Sequence, residues 1–371
     1  YSSWGSKLAS SSSYDPAKDF FETGTNFINS LTLTTGNKTN QTFFSAASTN
    51  NNGVVPNNSY HRYNFNVRNT TSIFEDKLQL DFGAAYIKQK DMNMVSQGEY
   101  WNPIVAAYLY PRCEDFGKIK TFERYDTTRN FPVQYWPISE NTFAPQNPYW
   151  TAYRNLAANN KDRFMFNTGV TYKITSWANI AARARMDKSF VNFERKIYAS
   201  SNDIFAKPNG AYEYANYKDY QFYSDVIATI NKQLFDDWSL MFNLGASYSD
   251  FDAVERGYGG NLQLVPNLFA IQNITPSEGK ISEKYGDARR RNVAAFVNAE
   301  IGFKRCAYLT LSGRNEWDSR LVNSAEESYF YPSIGFSAVI SEMGEMPDFL
   351  NYFKVRSSYT EVASPIAWSG R

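Results

Sequence analysis

Histidine and cysteine are almost missing from this chain. Among 371 residues there is one histidine, His61, and there are two cysteines, Cys113 and Cys306. A single imidazole leaves little room for histidine-based acid–base, triad or zinc chemistry. Two thiols make neither a disulfide framework nor a metal knuckle; spacing alone leaves open whether they pair or stay free. Net charge is nearly absent too: 38 Lys+Arg stand against 37 Asp+Glu, a formal +1. No basic excess exists to attract a nucleic-acid backbone, and no acidic excess to keep a tail disordered. Long apolar runs are lacking as well, so no helix of about 18 apolar residues can cross a bilayer. The opening Tyr1-Ser2-Ser3-Trp4 carries no basic-then-apolar signal segment. A β-barrel escapes the hydropathy test, because its apolar band is spread over alternate residues.

Rings are abundant instead. The chain has 8 Trp, 27 Tyr and 28 Phe, 17% of all residues. Apolar residues recur with a period of two: Leu78, Leu80, Phe82, Ala84 and Tyr86, then Phe164, Phe166, Val170, Tyr172 and Ile174. A third set is Trp238, Leu240, Phe242, Leu244, Ala246 and Tyr248. Weaker copies run from Ala178, Val293 and Ile334. Helices need recurrence at three and four residues, so these are strands with one apolar face each. About twelve such segments occur.

The connections alternate in length. Short links are expected at 36–37, 74–77, 175–177, 234–237 and 303–306; long ones at 50–61, 91–162, 188–218, 250–290 and 318–330. In an up-and-down antiparallel sheet every second connection lies on the same side, so the long excursions share one rim. That is the form of an outer-membrane barrel, with short periplasmic turns and long extracellular loops. A soluble sandwich has no physical reason to sort its loops this way. Rings at strand ends suit a bilayer interface, although cross-strand aromatic pairing also places them there. Twelve strands bury their apolar faces in lipid only if the sheet closes. With a polar, Ser-rich lead-in over 1–19 and no terminal aromatic strand, 1–371 reads as part of one β-barrel domain, an excerpt from a larger barrel.

Particular stretches resemble a known family. Phe20-Phe21-Glu22-Thr23-Gly24 with Leu31-Thr32-Leu33-Thr34-Thr35-Gly36 is similar to the opening barrel strand of SusC/RagA-type TonB-dependent transporters. Gly53-Val54-Val55-Pro56-Asn57, Arg62-Tyr63-Asn64-Phe65 and Arg68-Asn69-Thr70 continue the likeness. Arg314-Asn315-Glu316-Trp317-Asp318-Ser319-Arg320 and Tyr331-Pro332-Ser333-Ile334-Gly335-Phe336-Ser337 resemble two consecutive family strands. Lys354-Val355-Arg356-Ser357-Ser358-Tyr359 resembles the next, after a short periplasmic segment at 349–351. Thr360 stands where the family strand often has Gly. The resemblance implies an all-β, antiparallel up-and-down transmembrane barrel of about 22 strands, of which this chain supplies about twelve, roughly the first half. It implies active import of oligomeric nutrients (glycans or peptides) across the outer membrane of a Gram-negative bacterium. Expected partners are a SusD-like surface lipoprotein, the TonB complex reached through an absent amino-terminal region, an oligosaccharide or peptide substrate, and outer-membrane lipid, but no nucleic acid. The plug and the last strands have no matching residues here. No cofactor, metal or catalytic residue is expected. The rival reading is a secreted or surface β-rich protein that binds or cleaves glycans.

Within the 91–162 connection, rings and prolines are dense. Tyr100, Trp101, Tyr108, Trp136, Tyr149, Trp150 and Tyr153 are the candidate substrate contacts, as a stacking surface at the outer mouth. The same rings could instead pack the loop into a core of its own or meet the lid lipoprotein. Glu316 and Asp318 share a strand face, but flanking Arg314 and Arg320 would keep both ionised, so charge pairing outweighs a hydrolytic pair. Arg183, Arg185 and Arg289-Arg290-Arg291 read as lumen or rim charges, and His61 as a polar rim residue. Asn-X-Ser/Thr triplets at Asn37, Asn57, Asn69 and Asn273 fit chance, and Gly257-Tyr258-Gly259-Gly260 lacks the Lys-Ser/Thr of a phosphate loop.

Overall fold

The computed structural model describes residues 14–96, 98, 100–111, 114–137, 145–274, 282–344, 346–347 and 349–363, apart from the side chains of 282–287. The lead-in over 1–13, Cys113 and the end of the chain over 364–371 lie outside the described residues. In chain order the elements are α1 (Pro16–Asp19), β1 (Thr25–Gly36), β2 (Asn40–Asn52), β3 (Ser59–Ile73), β4 (Leu78–Met92), α2 (Pro103–Leu109) and α3 (Gly117–Lys120). Then come β5 (Glu123–Asp126), β6 (Phe131–Gln134), α4 (Pro148–Arg154), β7 (Asn155–Lys173), β8 (Ala178–Tyr198), β9 (Gly210–Phe235) and β10 (Trp238–Asn261). The last four are β11 (Ser282–Phe303), β12 (Ala307–Asp318), β13 (Ser328–Val339) and β14 (Lys354–Thr360).

Twelve strands form one sheet in the order β1-β2-β3-β4-β7-β8-β9-β10-β11-β12-β13-β14, every neighbour antiparallel; β5 and β6 make a separate hairpin. Register joins the apolar faces into a continuous belt. Leu33 pairs with Phe44, Phe44 with Val67, Val67 with Ala84, Ala84 with Phe166, and Phe166 with Met186. Farther round, Ala182 meets Val226, Ala228 meets Leu244, and Leu244 meets Val297. Ala299 meets Leu311, Leu311 meets Ile334, and Ile334 meets Tyr359. Among the described residues nothing covers this belt: Leu80 is 37% exposed, Phe166 41% and Leu244 53%. In water so much bare apolar surface on one face would drive association; in hydrocarbon it is at equilibrium.

The belt has the height of a bilayer. On β10 it runs from Trp238 to Tyr248, ten residues apart. At about 3.3 Å per residue and a tilt of about 40° this covers about 25 Å. Rings edge both margins. At the short-turn margin Trp238 packs on Phe303 with centroids 4.7 Å apart; at the other, Tyr86 packs on Phe164 at 4.9 Å and Phe222 on Tyr248 at 6.2 Å.

The opposite face is wet and concave. It presents Arg183 to Asp225 (2.9 Å), Arg163 to Asp187, and Arg314 to Glu316 (2.9 Å). A cavity of about 840 Å³ lies on this side, lined among others by Arg68, Gly83, Asn167, Arg185 and Gln221. Gly245 is required here, because a Cβ would stand 2.5 Å from Cζ of Phe296 and 2.9 Å from the Val226 carbonyl oxygen.

The excursions sort by rim as expected, but their sizes differ from the sequence reading. The long-rim links are 53–58, 93–154, 199–209, 262–281 and 319–327, each shorter than expected because the strands run on. β9 has 26 residues and β10 has 24, more than twice the roughly 9–11 that span a bilayer. Above the belt both faces of a strand are in water, so period-two patterning disappears while the ladder continues. One link breaks the sorting. Between β13 and β14, 340–353 lies at the short-turn rim, where the sequence suggests only a short segment; Ile340 N–H donates to the Phe353 carbonyl (2.8 Å) and pinches its base.

Candidate functional site

Most of the buried apolar core sits not in the wall but in a cap at the long-loop rim. The 93–154 excursion folds on itself through short helices whose starts are written locally. Asn102 caps α2 and Asn147 caps α4, each followed by proline at the first turn, as Asp15-Pro16 does for α1. The side-chain oxygen satisfies an orphan amide, and proline has no amide to orphan. Tyr14, Phe20, Val55, Ala107, Tyr110, Phe116, Ile119 and Tyr149 form the main cluster. Tyr14 stacks on Phe116 at 4.0 Å and Phe20 meets Tyr149 edge-on at 5.4 Å. Tyr14 and Phe20, ahead of β1, are therefore part of the cap, and β1 runs from the cap toward the short-turn rim.

Polar groups lock the cap to the wall. Trp150 Nε1 donates to Ser201 Oγ (2.9 Å), which donates to Asn155 Oδ1 (2.9 Å). Asn147 Nδ2 donates to the carbonyls of Ile119 and Tyr135, both at 2.9 Å. Arg154 grips Glu123 with two bonds of 2.8 Å. Gln134 reaches Ser200 through its backbone N–H and its Nε2, and Asn57 Nδ2 reaches the Ala152 carbonyl (2.8 Å). Thus 53–58, 93–154 and 199–209 are bonded into one body.

The seven candidate rings divide by burial. Trp150 is 0% exposed and Tyr149 8%; both faces of each are packed, so in this arrangement they support the cap rather than offer a stacking face. Burial, then the nearby Glu22, Tyr153 and Asp19, pushes the Tyr149 hydroxyl well above its usual range, and burial and Glu22 push Tyr153 the same way. Trp136 and Tyr153 are half-buried against the main cluster, and Tyr100 and Trp101 against a second cluster of Ile197, Phe205, Ala206 and Ala211. Trp101 lies 4.1 Å from the Phe205 ring, with the Arg195 guanidinium 5.3 Å from its own centroid. Tyr108 alone of the seven is open, at 56%. The rings do not form one platform.

A small niche of mixed lining, absent from the sequence reading, lies beneath the cap. Trp101, Asn155, Arg195, Met94 and Thr151 are among the residues that line a cavity of about 100 Å³, and the buried Asn155 Nδ2 has no hydrogen-bond partner among the described residues. Asn155 and Arg195 look like ordinary strand residues, so nothing local announced them. Glu316 and Asp318 are each held by an arginine, Asp318 by Arg320 at 2.6 and 2.9 Å. Arg183 faces the lumen; strand parity puts Arg289 and Arg291 on the outer face and Arg290 inside. His61 bonds Asn50 at 3.0 Å, and Gly257–Gly260 lie within β10.

No protein-family model and no curated protein matches the chain significantly. Solved structures do. The RagAB peptide transporter superimposes with a TM-score of 0.71 at 15% identity, over 95% of this chain and 38% of that one. The RagAB peptide importer in its open-open state gives 0.69 at 15% identity, over 96% and 39%. The ferric citrate transporter FecA, unliganded, gives 0.51 at 10% identity, over 85% and 39%. The chain thus spans less than half the length of the proteins it resembles. At these identities the likeness is one of fold: the chain's twelve antiparallel up-and-down strands superimpose on part of the β-barrels of the RagAB and FecA transporters.

Proposed function

We propose that the chain is the wall and part of the outer mouth of an importer in the outer membrane of a Gram-negative bacterium, taking up oligomeric nutrients without covalent chemistry. The observation that carries this is the uncovered apolar belt, continuous across twelve strands, with a charged concave face behind it. A soluble glycan-binding sandwich would bury that belt between two sheets. Energy from the inner membrane through TonB, and closure by a SusD-like surface lipoprotein, belong to the same reading; the RagAB and FecA likenesses support it. The RagAB structures are named for peptides, which favours oligopeptides over glycans as cargo. Among the candidate rings, Tyr108 is open and Trp101 lines the niche at Asn155, so these two are the rings this reading assigns to cargo.

The test uses whole cells making the full-length protein, supplied with labelled oligopeptides and oligosaccharides. Uptake of one class should vanish on gene deletion and on collapse of the inner-membrane proton gradient. Uptake unchanged by either treatment refutes the importer reading. Trp101→Ala with Tyr108→Ala should weaken uptake at low substrate concentration; unchanged uptake removes both rings from the cargo path.

A further inference from the structure

The outer face carries a second pattern, just beyond the ring margin on the cap side. On β4, after Tyr86, come Lys88 and Lys90; on β8, after Met186, comes Lys188; on β9, Lys218 precedes Tyr220; on β11, Arg289 and Arg291 precede Val293. Strand parity puts all six on the same face as the belt, because Lys88 pairs with Asp162, Lys188 with Phe164, Lys218 with Phe190, and Arg291 with Asp250. They begin one outward-facing position above the last belt residue, about 5 Å higher along a tilted strand, which is headgroup depth. On the outward face over the same height, on these strands and on β7 and β10, the carboxylates among the described residues are three, Asp162, Asp250 and Asp252. Asp162 takes Lys88 (2.8 Å), and Asp250 takes Arg289 (2.9 Å) and Arg291 (3.3 Å). All six cations are exposed, and Lys90 and Lys218 have no ion-pair partner among the described residues. Lys188 and Lys218 are diagonal neighbours, a spacing of about 7–8 Å that one phosphate can bridge.

Exposed lysines in bulk water need no ligand. These project from a lipid-facing surface, where the neighbouring medium is a layer of headgroups. The geometry points to a binding arc for the phosphate groups of an anionic outer-leaflet lipid, held by Lys88, Lys90, Lys188, Lys218, Arg289 and Arg291. This rests on the membrane-wall reading above. Charge complementarity selects a phosphorylated headgroup over a zwitterionic one, and the belt directly below supplies the place for its acyl chains. All six being exposed, the described part of the cap does not cover the arc.

Native mass spectrometry on the full-length protein in phosphatidylcholine nanodiscs tests the arc. The discs are doped with bisphosphorylated lipid A or with the same lipid dephosphorylated. The wild type should retain the phosphorylated form selectively. Lys88→Gln, Lys188→Gln, Lys218→Gln, Arg289→Gln and Arg291→Gln together should cut retention by more than about tenfold, since each cation near a headgroup layer contributes severalfold. Equal retention of both lipids by the wild type overturns the proposal. So does unchanged retention by a variant that keeps the heat-modifiable gel mobility of a folded barrel. Displacement of the lipid by inorganic phosphate would show a free-anion site and overturn the lipid assignment. A protein that refuses the nanodisc altogether removes the membrane wall itself, whereas insertion without lipid preference removes only the arc.

Discussion

Trp150 joins two loops and the wall at one point: its ring fills the cap and its indole N–H reaches Ser201, itself tied to Asn155 at the start of β7. Trp150→Ala should cost the cap about 3–5 kcal/mol, as for large-to-small core changes, while the wall persists. Limited proteolysis should then cut within 93–154 and leave the barrel strands intact; resistance equal to wild type would count against the cap as one body. Tyr149 gives the cap an alkaline limit. Its hydroxyl donates to the Asp19 carbonyl (3.1 Å) and is raised from 10.0 by burial first and by nearby negative charge second. A group raised in the folded cap favours folding below its unfolded value, and that contribution is lost as pH climbs past 10. Hydrogen exchange in α1 and α4 should therefore quicken above pH 10, and Tyr149→Phe should flatten this rise. At this scale the sequence was only half legible. Asn-Pro at 102–103 and at 147–148 is a local helix-start pattern that the reading of 91–162 as a loop passed over, and which rings face water depended on partners far away in the chain, such as Phe205 for Trp101.

Strand faces have opposite tolerances. Leu244 stands in the belt and Asn243 on the lumen side, where it accepts from Thr229 (2.8 Å). Leu244→Arg should destabilise the inserted barrel by about 2–4 kcal/mol, and Asn243→Arg by about 1 kcal/mol, the worth of one hydrogen bond. Urea titration of the full-length protein in lipid compares the two; equal costs would mean that the faces are not differently solvated. The belt strands were readable because alternation follows from one face in lipid and the other in water. The upper halves of β8, β9 and β10 were not, because with water on both sides no period is imposed. Residues 188–198 and 210–218 thus read as loop although they extend the ladder. The 340–353 link escaped for a related reason: its residues carry no turn signal that distinguishes a short link from a pinched longer one.

As a whole, the sheet is open among the described residues. β1 and β14 each have one partner, and every residue of β14 is exposed. Unpaired edges in hydrocarbon leave amides unsatisfied at several kcal/mol each. This 371-residue stretch, produced by itself, should therefore aggregate or pair edge to edge instead of inserting as a monomer. A heat-modifiable, monodisperse barrel made from it alone would contradict the open wall. Period-two apolarity and the sorting of its connections determined the wall and its sidedness from sequence, because both are imposed locally by the solvents on either side. Tertiary structure alone decided which rings are cap and which are accessible, how far the strands rise above the lipid, and which cations share one height. Those depend on register between distant strands, and register is a property of pairs that no single segment contains.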